Sequence, residues 1–391
     1  MRDFVSKRIR EIAPSGIRKF FDIVSEMKDA ISLGVGEPDF GTPWEISEAG
    51  IRSVQKGFTH YTSNKGMPKL REEISRYLSS RYKVHYDKEE IVVTVGASEA
   101  IDITLRAVCD PGDEVLVPMP SYVSYAPCVT MAGGTPVGLE CREDNGFIVT
   151  KELLESAITP KTKAIILPYP NNPTGGIMTR AQLEEIRQVI IDADLLVISD
   201  EIYSELTYGG KHVSIASLEG MRERTVLLNG FSKAFAMTGW RIGYACAPRD
   251  ILDQILKVHQ YAIMCAPTMA QYAALAALET GRESDYEAVE EMRTEYDCRR
   301  RYLLHEFNAM GLKCFEAKGA FYLFPSVAST GMNGEQFANA LLKAQKVAVV
   351  PGSAFGRGGE NNIRVSYAYS LEELERAIGR IKKFLNIREE I

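Results

Sequence analysis

The run Thr225–Gly243, TVLLNGFSKAFAMTGWRIG, decides how this chain is read. Up to Asn229 it is β-branched and apolar, the composition of a strand buried on both faces. Gly230 breaks the run. Small residues interleaved with Phe231, Lys233 and Phe235 follow, and Arg241 precedes a second short apolar run, Ile242–Ala245. A lysine here lies on a loop at the carboxyl end of a strand, where open α/β sheets place their ligands. One chemistry that uses this pattern is a Schiff-base amine with a phosphate-binding guanidinium nearby. The plainer reading is a solvated lysine and a structural arginine.

The strand texture recurs upstream in Ile91–Val95 (IVVTV), Glu114–Val117 (EVLV), Ala164–Leu167 (AIIL) and Leu195–Ser199 (LLVIS). Between several of these lie amphipathic patterns such as SEAIDITLRAV, AQLEEIRQVIIDA and DILDQILKVHQY. Strands alternating with helices predict an α/β fold with a largely parallel, doubly wound sheet. After about residue 280 a charged helical stretch leads into GAFYLFP, KVAVVP, NNIRVSYA and a last helix, LEELERAIGRIKKFL, which predicts a smaller α+β domain. The turn-rich beginning reads as an arm. The expected division is residues 1–45 as N-terminal arm, 46–280 as large domain and 281–391 as small domain.

Composition narrows the chemistry. The 391 residues carry 46 Lys and Arg against 52 Asp and Glu, a net charge of −6, which is not the basic footprint of a nucleic-acid binder. No apolar run approaches the ~20 residues needed to span a bilayer, and the N-terminus MRDFVSKRIR lacks the apolar core of a signal peptide. The seven cysteines are scattered without a C-x-x-C, and the five histidines are equally dispersed. This predicts a reduced, cytoplasmic setting, no metal, no nucleic acid and no membrane partner.

Four other places could carry chemistry. Gly96, Ala97 and Ser98 stand at a strand-to-helix turn, which is either a phosphate site at a helix N-terminus or an ordinary N-cap. Asp200 ends the strand LLVISD, where a buried carboxylate needs a partner. A protonated pyridine nitrogen would serve, with Tyr203 three residues on to donate to the ring's phenolic oxygen; a plain N-cap is the other reading. Asn172 lies in PNNPTGG, a turn that could also present its amide to a ring oxygen or a substrate carboxylate. Arg364 lies within the strand pattern NNIRVSYA, either clamping a carboxylate bidentately or facing water.

Taken with LGVGEPDF (33–40), these motifs resemble the class I and II aminotransferases, fold-type-I pyridoxal-phosphate enzymes, over essentially the whole chain. The resemblance implies a seven-stranded, mainly parallel sheet, pyridoxal 5'-phosphate as cofactor and a homodimer with shared active sites. It implies that Lys233 forms the Schiff base, Asp200 pairs with the ring nitrogen, and Tyr203 and Asn172 bind the phenolic oxygen. It implies that Gly96, Ala97, Ser98, Ser232 and Arg241 hold the phosphate, Tyr122 stacks on the ring, and Tyr61 reaches the neighbouring subunit's phosphate. Gly36, Asn172 and Arg364 would bind the substrate α-carboxylate.

Three departures from the family pattern stand out, the first at the cofactor's phosphate and the other two at the substrate. Gly230 stands where many members have a serine. Ser98 stands where one subgroup has a lysine for a distal carboxylate, and Val258–Gly281, where another subgroup supplies an arginine, contains no Arg or Lys. SGIRKF (15–20), LPYPNNPTG, SDEIYSELTY and KVHQY look most like the aromatic and broad-specificity members, which include N-acetyl-diaminopimelate aminotransferases. The expected reaction is ping-pong transfer between an L-amino acid, aromatic or broad in range with aspartate left open, and a 2-oxo acid, 2-oxoglutarate foremost. Two competing readings remain. A carbon–sulfur lyase would use the same lysine, aspartate and arginine. A cofactor-sensing regulator needs a helix-turn-helix module, for which the roughly 30 residues before LGVGEPDF are too few.

Overall fold

The computed structural model describes residues 4–14, 27 and 29–386; SGIRKF lies outside the described residues. Seven strands form one sheet: β1 Ile91–Thr94, β2 Glu114–Met119, β3 Thr135–Glu140, β4 Thr162–Leu167, β5 Leu196–Asp200, β6 Thr225–Gly230 and β7 Gly243–Cys246. Their spatial order is β1-β7-β6-β5-β4-β2-β3. The pairs from β6 through to β3 are parallel, whereas β7 runs antiparallel to both β1 and β6. The reversed strand starts where its neighbours finish, so Arg241, just before β7, lies at the same sheet end as Asp200 and Lys233. The expected strands Leu195–Ser199 and Ile242–Ala245 each sit one residue later than predicted. β3 was not anticipated: its sequence TPVGLE contains Pro136 and Gly138, tolerable because it is an edge strand.

The continuous apolar runs are explained by helices on both faces. Val226 and Leu228 of β6 pack towards helices α3 (Gly96–Val108), α4 (Tyr125–Ala132 in the chain) and α7 (Arg249–Ala262), while Leu227 packs towards α2 (Pro68–Tyr82) and α8 (Thr268–Glu283). Ile165 and Leu167 of β4 point to α5 (Lys151–Ala157) and α6 (Arg180–Asp192). Helix α1 (Trp44–Gln55) lies against α8. Among the described residues no helix is long and apolar enough to cross a membrane.

The C-terminal part has its own core, built on α9 (Glu287–Ala309), α10 (Gly334–Gln345), α11 (Leu371–Phe384) and a three-stranded antiparallel sheet. That sheet joins β8 (Tyr322–Leu323), β10 (Ile363–Ser366) and β9 (Val350–Pro351) in the order β9-β10-β8. Only two residues of GAFYLFP are strand, and KVAVVP divides into Val347–Ala348 and β9. Ile31–Ser32 pairs in parallel with Val347–Ala348, and Leu33 accepts from Ser366 N at 2.8 Å. This threading delivers Gly34 and Gly36 to the side of β10. The expected division at residue 280 falls inside α8.

Candidate active site

The carboxyl ends of β1, β2, β4, β5 and β6, the start of β7 and the middle of β10 converge on one cavity of about 370 Å³. It is lined by Gly36, Ala97, Ser98, Tyr122, Asn172, Asp200, Tyr203, Ser232, Lys233, Arg241 and Arg364. Of the residues predicted from sequence, Gly96 stands directly behind this wall and Tyr61 lies outside it, 80% exposed.

Gly96 has φ +76°, a conformation open to glycine, and it turns the chain from β1 into α3. A Cβ there would lie 2.8 Å from Nη2 of Arg241, so the guanidinium rests against the backbone of this turn. Arg241 itself holds φ +52° and donates from Nη1 to the Thr238 carbonyl at 2.8 Å. A non-glycine residue held there stores strain of about 1–3 kcal/mol, a cost that clusters at functional sites. A helix N-terminus and an arginine thus meet at one point, which suits a dianion.

Asp200 is buried at the end of β5. Its Oδ1 accepts from Ile202 N at 3.2 Å and its Oδ2 from Tyr125 Oη at 2.8 Å. Burial pushes its pKa up to about 6, with the two hydrogen bonds and Lys233 pulling the other way. A cation brought beside it would keep it ionised. Tyr203 is buried on the turn after β5, with its Oη 2.9 Å from that of Tyr322. Lys233 donates from Nζ to the Gly36 carbonyl at 2.5 Å. Burial, then the positive charge of Arg364, push its pKa down to about 8, while Glu37 opposes them.

Arg364 points from β10 into the same space and is 3% exposed. Nη1 donates to Asn172 Oδ1 at 2.9 Å, Nη2 donates to the Gly34 carbonyl, and buried Nε has no partner among the described residues. The rings of Tyr322 and Phe355 lie 4.4 and 4.9 Å from its Cζ. A buried guanidinium with an unused donor is built to receive an anion.

The matching sequence family, described as aminotransferase class I and II, covers residues 28–381. The chain belongs to the class I and II aminotransferases. The aspartate aminotransferase of Pyrococcus abyssi is 48% identical over 97% of this chain and 98% of its own length. The aromatic-amino-acid aminotransferase 2 of Thermococcus litoralis is 44% identical over 97% of this chain and 98% of its own. The structure of Thermus thermophilus aspartate aminotransferase with maleate superposes with a TM-score of 0.93, at 38% identity, covering 98% of this chain and all of that one. This aminotransferase therefore has the aspartate aminotransferase fold, transaminates amino acids and uses pyridoxal phosphate. Its cavity fits that cofactor. An anion cradle at Gly96 and Arg241, a buried carboxylate at Asp200 and an amine of depressed basicity at Lys233 open onto one space.

The sequence reading missed Tyr125, Tyr322, Glu37 and Thr238, which also line the cavity. Tyr125 left a trace, since PSYVSY places two tyrosines one helical turn apart. Their rings meet edge to face at 5.6 Å.

Proposed function

We propose that this aminotransferase takes a broad range of L-amino acids as donors, with aromatic ones preferred over aspartate, and 2-oxoglutarate as acceptor, in a cytoplasmic homodimer with shared active sites. The observation that carries the donor range is the count of fixed cations. Among the described residues, Lys233, Arg241 and Arg364 are the Lys and Arg side chains lining the cavity. The first two are assigned to the cofactor, which leaves one guanidinium for one carboxylate. Ser98 and the Arg- and Lys-free stretch Val258–Gly281 offer no second clamp. The distal carboxylate of 2-oxoglutarate is then met by hydroxyl groups. That relatives carry aspartate in one name and aromatic amino acids in another is in keeping with a broad range.

Residues 46–280 hold the cofactor in this reading and 281–391 supply the carboxylate clamp. Gly96, Ala97, Ser98, Ser232 and Arg241 take the phosphate. Asp200 keeps the ring nitrogen protonated, Tyr203 and Asn172 address the phenolic oxygen, and Tyr122 covers the ring. Pyridoxal phosphate supplies the electron sink that makes the substrate's Cα–H acidic. Arg364, with Gly36 and Asn172, fixes the α-carboxylate and so aims Cα–H at Lys233. Lys233 Nζ, its basicity lowered by burial and by Arg364, takes the Cα proton as general base.

Exposed apolar side chains support the dimer. Trp44 (65% exposed), Val54 (50%), Phe58 (42%), Tyr61 (80%), Tyr261 (87%) and Ile263 (46%) lie on or beside α1 and α7. Apolar side chains left exposed in this region favour burial against a second copy.

The test is a half-reaction screen in which single amino acids are added to the loaded enzyme and bleaching of the cofactor band is timed. Phenylalanine and tyrosine should react at least about tenfold faster than aspartate, the effect of one missing charge-assisted contact. Aspartate reacting as fast as the aromatic substrates overturns the donor assignment.

A further inference from the structure

We propose that Tyr322 is a positioning residue of this site: its hydroxyl sets the direction in which Tyr203 donates, and its ring face holds the Arg364 guanidinium in place. The inference rests on the proposed roles of Tyr203 at the cofactor's phenolic oxygen and of Arg364 at the substrate carboxylate. Tyr322 belongs to β8, is 1% exposed, and is paired in register with Ser366 of β10, two residues from Arg364. Three contacts leave it from that one position.

The first contact is the 2.9 Å bond between the hydroxyls of Tyr322 and Tyr203, in which either oxygen can donate. A phenol has one proton to give. If Tyr203 spends its proton on the cofactor, the bond between the two tyrosines must run from Tyr322 to Tyr203. Tyr322 then denies Tyr203 the wrong acceptor and polarises its O–H towards the right one, as neighbouring bonds in a chain strengthen each other. Burial raises the pKa of both phenols, which keeps both protons available. The second contact is the ring face 4.4 Å from Arg364 Cζ, an attraction that orients the guanidinium plane while leaving its N–H edges to other partners. The third is with Gly36, where a Cβ would come within 2.5 Å of the Tyr322 hydroxyl. The backbone that presents its carbonyl to Lys233 at 2.5 Å thus runs directly against this side chain. One residue registers the cofactor's hydroxyl, the substrate clamp and the loop beside the lysine to one another.

Two variants separate the hydroxyl from the ring. In Tyr322→Phe the ring still faces Arg364 and only the donor is lost. The pH at which the bound cofactor's visible band interconverts should rise by about half a unit. The affinity of the apoenzyme for pyridoxal phosphate should fall about threefold, the size of one neutral hydrogen bond. The kcat should drop while KM for the amino acid stays within about twofold. In Tyr322→Leu the ring is lost as well, and KM should rise about tenfold for every amino acid alike, the size of a desolvated cation–π contact.

A wild-type band position and wild-type cofactor affinity in Tyr322→Phe overturn the inference. So does an unchanged KM in Tyr322→Leu. Tyr203→Phe and Arg364→Gln are measured alongside. If they move the band and KM while the Tyr322 variants do not, the Tyr322 inference alone falls. If they too leave band and KM unmoved, the underlying assignments fall with it.

Discussion

The amine of Lys233 sits between charges of opposite sign. Burial and Arg364 lower its pKa to about 8, and the exposed carboxylate of Glu37 works against them. Capture of a carbonyl needs the neutral amine, so the rate at which apoenzyme takes up pyridoxal phosphate should climb with pH to a half-maximum near 8. The signs of two substitutions follow from Coulomb's law. Arg364→Gln removes a cation that disfavours the ammonium, which raises the lysine pKa and moves the midpoint to higher pH. Glu37→Gln removes an anion that favours the ammonium, which lowers the pKa and moves the midpoint to lower pH. Stopped-flow mixing of apoenzyme with cofactor across pH 6–10 reads both shifts. A common direction for the two variants would show that their charges do not govern this amine.

The turn from β1 into α3, proposed to hold the cofactor's phosphate, lets Arg241 approach its backbone. Gly96→Ala places a methyl in a φ +76° conformation and 2.8 Å from Arg241 Nη2. The backbone penalty alone is roughly 1–2 kcal/mol. Gly331 has the same φ of +76° with open space around it, so Gly331→Ala carries that penalty without displacing the arginine. Both variants should lose comparable stability in urea unfolding, but only Gly96→Ala should lose cofactor affinity, by about tenfold or more, the worth of a charge-assisted contact. Similar affinity in the two would remove Arg241 from the cradle. Element boundaries of this kind were legible in the sequence. Strands β1, β2, β4, β5 and β6 announce themselves because burial on both faces writes an unbroken apolar run, and their ends place Asp200 and Lys233. The direction of β7 was not legible, since apolarity carries no polarity along the chain. Edge strand β3 hid behind Pro136 and Gly138. Tyr322 escaped because its partner Tyr203 lies 119 residues away, and the spacing of Tyr125 from Tyr122 gave no sign of its bond to Asp200, 75 residues on.

At the scale of the whole molecule, the cavity and Tyr61 stand apart. One chain gathers most of the residues assigned to the cofactor around Lys233, yet Tyr61 stays 80% exposed outside that wall. It lies among the exposed side chains of α1 and α7, the surface proposed to meet a second copy. A shared site makes a prediction that a self-contained one does not. Tyr61→Phe should weaken pyridoxal-phosphate binding about tenfold, the loss of one hydrogen bond to a charged phosphate. Lys233→Ala should abolish both the visible cofactor band and transamination. In a hybrid dimer of the two variants, the subunit that keeps Lys233 receives Tyr61 from its partner, so that site is wholly native, while the other site lacks the lysine. Subunits exchanged under mild denaturant and assayed at limiting cofactor should therefore gain activity with wild-type cofactor affinity, in an amount that follows the hybrid fraction. If each chain completed its own site, no hybrid could hold a native one, and the mixture would show only the weakened affinity of Tyr61→Phe. Mixing two damaged enzymes thus distinguishes the two architectures by whether a native site appears.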